Sequence, residues 1–92
     1  MRNSIRIEGR HAELASPEEI ADGIRSALEV FTRNGVDSVD CAAAISKYHR
    51  AELLSPEEAF LCVVWDEAEE AAFRAITLGW MSRDVEIQIA VC

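Results

Sequence analysis

Cysteine is scarce and scattered. Cys41, Cys62 and Cys92 are odd in number, lie far apart, and form neither a C-x-x-C pair nor a cluster with histidine. That pattern excludes a disulfide framework and offers no zinc-ligand spacing, so Cys41 and Cys62 read as small helix residues. Long apolar runs are missing too, because acids interrupt each stretch well before the ~18 residues a membrane span requires. The opening Met1-Arg2-Asn3-Ser4 lacks the apolar segment of a signal peptide. A cytoplasmic location without a membrane partner is the expectation.

Positive charge is in short supply. Nine Lys and Arg stand against seventeen Asp and Glu, a formal net charge of −8, which argues against general affinity for nucleic acid or anionic membrane. Lysine itself is nearly absent: eight of the nine bases are arginine, the residue suited to forked contacts with carboxylate or phosphate. The charges are unevenly spread. From Glu57 to Glu70 there are six acids and no base, whereas Arg2, Arg6, Arg10 and His11 gather near the N-terminus and Lys47, Tyr48, His49 and Arg50 form a second basic cluster.

Recognisable catalytic constellations are also lacking. His11 and His49 each neighbour an arginine and neither lies in a nucleophile motif, so both read as surface histidines. Asp66, Glu67, Glu69 and Glu70 fan around a helix rather than converging from a loop or paired helices, which reads as a solvated face and not a divalent-metal site. No phosphate-binding loop is present. The expectation is a non-enzymatic chain without cofactor or metal.

What the chain does contain is a repeated phrase, Ala12-Glu-Leu-Ala-Ser-Pro-Glu-Glu19 and Ala51-Glu-Leu-Leu-Ser-Pro-Glu-Glu58, matching at seven of eight positions. In each copy serine takes the N-cap, proline the first helical position, and the second glutamate falls three residues after the serine, which completes a capping box. At 92 residues and 50% hydrophobic, the chain fits one domain over 1–92, burying roughly 60 to 70% of its unfolded surface.

The spacing predicts helix over Pro17 to about Arg33, with Ile20, Ile24, Ala27, Leu28 and Phe31 on one stripe. Gly35 supplies a left-handed stop and lets Val36 touch Phe31 across a Schellman end. A second helix is capped by Asp37 or Ser38, carries Cys41, Ala44, Ile45 and Tyr48 inward, and ends near Leu53. The third, Pro56 to about Leu78, turns Leu61, Val64, Trp65, Ala68, Ala71, Ala72 and Ala75 inward and Cys62, Asp66, Glu69, Phe73 and Thr77 outward, before Gly79 stops it.

Asp84 to Val91 alternates strictly, with Val85, Ile87, Ile89 and Val91 forming one face, the pattern of a half-buried strand. Ser4 to Leu14 suits a hairpin turning at Gly9-Arg10, in which Ile5 faces Leu14 and Ile7 faces Ala12, while Arg6 faces Glu13 and Glu8 faces His11. Together these predict an α+β fold: a three-stranded antiparallel sheet, N-terminal hairpin plus C-terminal strand, packed by three helices in the order β-β-α-α-α-β. A three-stranded sheet has two open edges, so a homodimer is possible.

Asp37-Ser38-Val39-Asp40, heading a helix in a small acidic chain, resembles the attachment site of acyl carrier proteins, where Asp-Ser-Leu holds the phosphopantetheine serine. The resemblance covers about eight residues from Gly35 to Ala42 and implies Ser38 as the modified residue. Val39 replaces leucine, and the terminal strands depart from that all-helical family; an ordinary N-cap accounts for the same residues. The first two helices can also be drawn as a helix-turn-helix of a regulator or antitoxin, although the second opens with Asp37, Ser38, Val39 and Asp40 rather than bases and amides.

The leading expectation is a small acidic inhibitor that docks on a host nucleic-acid-handling protein or ribonucleoprotein, similar in type to phage-encoded inhibitors of CRISPR complexes and working in the host cytoplasm. Asp66, Glu69, Glu70 and Phe73 would fill a basic groove, while Arg6, Arg10, Lys47 and Arg50 touch phosphates of a bound RNA.

Overall fold

Both copies of the repeated phrase start helices, and both form the reciprocal cap that their spacing predicts. Glu19 N–H donates to Ser16 Oγ at 3.1 Å while Ser16 N–H donates to Glu19 Oε1 at 2.9 Å. Ser55 and Glu58 repeat the pair at the same two distances. The computed structural model describes residues 4–77 and 86–92, in the order β1 (Ile5–Glu8), a short 3₁₀ turn (Ala12–Leu14), α1 (Pro17–Asn34), α2 (Ser38–His49), α3 (Pro56–Thr77) and β2 (Gln88–Val91). Arg2, Leu78, Gly79, Asp84 and Val85, on which parts of the expectations above fall, lie outside the described residues.

The α+β class holds, but the sheet has two strands: β1 pairs antiparallel with β2, and no third strand is found among the described residues. The predicted return strand is instead the 3₁₀ turn, and Leu14, expected to face Ile5, is 71% exposed. The reason is the better partner at the other end of the chain. The register sets Ile5 opposite Val91 and Ile7 opposite Ile89, burying more apolar surface than Leu14 and Ala12 could offer. Arg6 and Glu8 face outward opposite Ala90 and Gln88, so each strand keeps one buried face.

Beyond Glu8 the chain turns at Gly9, whose φ is +120°, and His11 prolongs the contact with the start of β2. His11 N–H donates to the Glu86 carbonyl at 3.2 Å, and Glu86 N–H donates to His11 Nδ1 at 2.8 Å. A ring nitrogen thus substitutes for a backbone carbonyl.

The helix ends are closed by backbone bonds. Gly35 N–H donates to Thr32 O and Val36 N–H to Phe31 O, both at 3.1 Å, the expected Schellman end of α1. At α2 the same geometry arrives early: Ala51 is left-handed, with its N–H donating to Tyr48 O at 3.0 Å and Glu52 N–H to Lys47 O at 3.1 Å. That closure ends α2 at His49 rather than near Leu53.

α1 packs chiefly on α3 and α2 packs on another face of α3, while the sheet is shared, β1 lying against α1 and β2 against α3 and α2. Phe31 is fully buried, its ring tilted against Trp65 with centroids 6.1 Å apart. Around this pair lie Ala27 and Val30 of α1, Cys41 of α2, Val64, Ala68 and Ala72 of α3, and Ile5 and Ile89 of the strands. The small residues of α3 let its neighbours approach closely. Tyr48, expected inward, is 62% exposed at the end of α2, and Cys62, expected outward, is buried.

Candidate functional site

The stripe Cys62, Asp66 and Glu69 is outward only in part: Asp66 is exposed, Glu69 half-buried and Cys62 buried. It lines a cleft of about 580 Å³ where α3 meets the end of α2 and the strand β2. From α2 come Ile45, Tyr48 and His49, from the following loop Leu54, from α3 also Val63 and Trp65, and from β2 Gln88 and Ile89. The lining is apolar towards Leu54 and Val63 and acidic towards Asp66 and Glu69. A volume of this size, with a few polar groups on an apolar wall, is typical of a binding recess.

Glu69 is the anchor of the acidic end. Ser4 O accepts the N–H of Cys92 at 3.1 Å, and with the antiparallel register this makes the pair Ile7–Ile89 a non-hydrogen-bonded one, turning the Ile89 N–H away from β1. Glu69 Oε2 accepts that N–H at 3.2 Å, tying α3 to the outer edge of β2. Burial pushes the Glu69 carboxyl above its ordinary value of 4.5; the Ile89 N–H opposes the shift, Asp66 adds to it and His49 opposes it. Glu86 of β2's leading segment shares a small adjoining recess with Glu69.

The sign of the pH dependence follows. A carboxyl whose pKa is raised by folding contributes most stability below its unfolded value, and this is lost as pH rises through the folded value. Glu69→Gln keeps an acceptor for Ile89 and removes the titration. Its stability relative to the natural protein should therefore rise as pH increases from the ordinary carboxylate value of 4.5 through the raised folded value, measured by urea unfolding. An offset that does not change with pH would contradict the burial of a charge here.

The other expected site residues are dispersed. Glu70 pairs with Arg74 at 2.7 Å on the outer surface of α3, and Phe73 is half-buried. Arg6 pairs with Glu8 at 3.1 Å and donates to the Val91 carbonyl at 3.0 Å, and Arg10 pairs with Glu86 at 3.3 Å. Lys47 holds Glu58 at 2.6 Å, a contact that, with the Ser55 N–H, keeps the Glu58 carboxyl below the ordinary range. Arg50 pairs with Glu52. Arg25 and Arg33 pair with Asp22 and Glu67, so every arginine and lysine among the described residues has an acidic partner. The two basic clusters of the sequence are therefore largely neutralised. Asp66 and Glu69, by contrast, form no ion pair with a described residue.

Sequence reasoning missed Tyr48, His49, Trp65 and Ile89 as parts of the site. The i, i+4 and i+3 spacing placed Cys62, Asp66 and Glu69 on one stripe of α3 but assigned Trp65 to the opposite, inward face.

The cleft brings imidazole and carboxylates together but supplies no activated nucleophile. Burial, then Asp66 and Glu58, push the Cys62 thiol up. Cys41 is pushed up to about 11 by burial, with Asp40, Cys62 and Asp37 adding to the effect. Both thiols are held away from the reactive thiolate. No group of three His, Cys, Asp or Glu side chains able to hold a metal occurs among the described residues, and no described helix is long and apolar enough to cross a membrane.

Ser38, the residue implied by the acyl-carrier resemblance, is fully buried at the head of α2. Its hydroxyl is out of reach of a transferase. Asp37 takes the N-cap position without a side-chain cap bond. No protein-family model, curated protein or solved structure matches the chain.

Proposed function

We propose that the protein is a non-enzymatic binding protein: a small acidic inhibitor that docks on a nucleic-acid-handling protein or ribonucleoprotein of its host, in the manner of phage-encoded anti-CRISPR proteins. The observation that carries this reading is the charge balance of the surface. Intramolecular pairs absorb the described Arg and Lys, while Asp66 and Glu69, which form no ion pair with a described residue, line a partly apolar recess. A basic, partly apolar surface evolved to hold nucleic acid is complementary to that combination.

The acids therefore lead, and contact of Arg6, Arg10, Lys47 and Arg50 with RNA is secondary, since each must first leave its partner. The exposed pairs of Arg6, Arg10 and Arg50 cost little to exchange, about 0–1 kcal/mol apiece, whereas the Lys47–Glu58 pair is part-buried. The regulator reading has less support, because the outward residues at the head of α2 are Val39, Asp40 and Ala43, an unsuitable set for reading a groove.

The test is affinity capture from nuclease-treated host lysate. The natural protein should retain a nucleic-acid-binding protein, and the triple variant D66K/E69K/E70K should lose at least nine-tenths of that capture with an unchanged far-UV spectrum. Equal capture by both would end the proposal.

A further inference from the structure

We infer that the α2–α3–β2 cleft is a receptor for one arginine side chain, flanked by an apolar residue, on the partner protein. This rests on the docking reading above and names its chemistry.

Three observations converge. First, Asp66 and Glu69 sit one helical turn apart on α3 and both reach the cleft, where His49 is the basic side chain in the lining, yet neither forms an ion pair with a described residue, whereas their neighbours Glu67 and Glu70 are paired with Arg33 and Arg74. Two carboxylates at this spacing can meet the forked N–H groups of a guanidinium, a match that the point charge of an ammonium does not make.

Second, the path to those carboxylates is apolar and aromatic. Trp65 and Ile89 form the floor, Tyr48 stands largely exposed at the rim, and Val63 and Leu54 border the opposite end. An arginine stem buries its methylenes along such a wall, and the guanidinium plane stacks on aromatic faces. Val63 is itself 62% exposed, leaving apolar surface where a flanking residue of the partner would lie.

Third, the outward Ile89 N–H, the group an added strand would need, already donates to Glu69. The occupant therefore enters by its side chain and does not extend the sheet at this position.

The experiment is a ¹⁵N-correlation NMR titration of the full chain at pH 7.5 with the peptide Ac-Gly-Leu-Arg-Leu-Gly-NH₂, and with the same peptide carrying neutral citrulline in place of arginine. The expected result is saturable shifts at the Glu69 and Ile89 amides and the Trp65 indole, with affinity at least tenfold lower for citrulline. D66N/E69Q, which keeps the acceptor for Ile89, should weaken the arginine peptide at least tenfold while leaving peaks of α1 in place.

Equal affinity for the two peptides, shifts centred on α1 or on Glu57, or no shift at millimolar peptide would each overturn the assignment. Failure here, with capture still lost in the charge-reversed protein, removes the arginine receptor and leaves the acidic docking face. The converse pattern, peptide binding as expected but capture indifferent to the acids, removes the docking function.

Discussion

Phe31→Ala should lower the free energy of unfolding by about 3–5 kcal/mol, the usual cost of emptying a large aromatic site that cannot collapse. Phe31 is 0% exposed, and its ring meets Trp65 at the junction of α1 and α3. Domains of this size are stable by only about 5–15 kcal/mol, so most of the margin would go. The melting temperature would fall on the order of 20 °C at ~4–8 °C per kcal/mol.

Phe60→Ala is the matched control. That ring is 49% exposed on α3, and its removal should cost far less than the Phe31 change. Equal losses in the two variants, read by urea unfolding, would mean that the α1–α3 seam does not hold the fold together.

Gly9→Ala is expected to cost about 2–4 kcal/mol, from two sources that add. A side chain at φ +120° is strained by about 1–3 kcal/mol. In addition, its Cβ would lie 2.5 Å from the Glu86 carbonyl oxygen and 3.2 Å from Ile87 Cα, contacts with backbone that no rotamer change relieves.

The damage should spread along β2. Displacing Glu86 breaks its two bonds with His11, frees the strand that carries Ile89, and so removes one wall of the cleft. Hydrogen exchange should show the β2 amides losing protection while α1 keeps its own. Gly35→Ala, with a left-handed φ of +67° but nothing within 4 Å of the added Cβ, should cost only about 1 kcal/mol. If Gly9→Ala behaved like Gly35→Ala, the close packing of the turn on Glu86 would be wrong.

Features encoded over a few adjacent residues were legible in the sequence. Ser16 with Glu19, Ser55 with Glu58, and Gly35 with Val36 and Phe31 all form the caps and closure that their spacing implies, because these bonds span a single turn of chain. The alternation likewise identified the strand that carries Ile89 and Val91, although β2 starts at Gln88 and leaves Glu86 and the buried Ile87 ahead of it.

What escaped was decided at a distance. Ile5 and Ile7 choose β2 from the far end of the chain, leaving Ala12-Glu13-Leu14 to coil into a 3₁₀ turn. The same Ala-Glu-Leu string at 51–53 begins with a left-handed alanine, a position that glycine would have announced and alanine does not. The basic clusters looked unpaired for the same reason, since Arg10 meets Glu86 and Lys47 meets Glu58 only once the chain is folded. For the cleft, helical spacing placed Asp66 and Glu69 together, but only packing brings Tyr48, His49 and Ile89 to them.

Competition with nucleic acid for the captured partner tests the central claim most directly, by fluorescence anisotropy of a labelled strand bound to that partner. The natural protein should displace the strand at concentrations that saturate the partner, and D66K/E69K/E70K should leave it bound. A strand that stays bound under saturating natural protein would contradict an inhibitor that occupies the nucleic-acid surface, as would displacement by both forms alike.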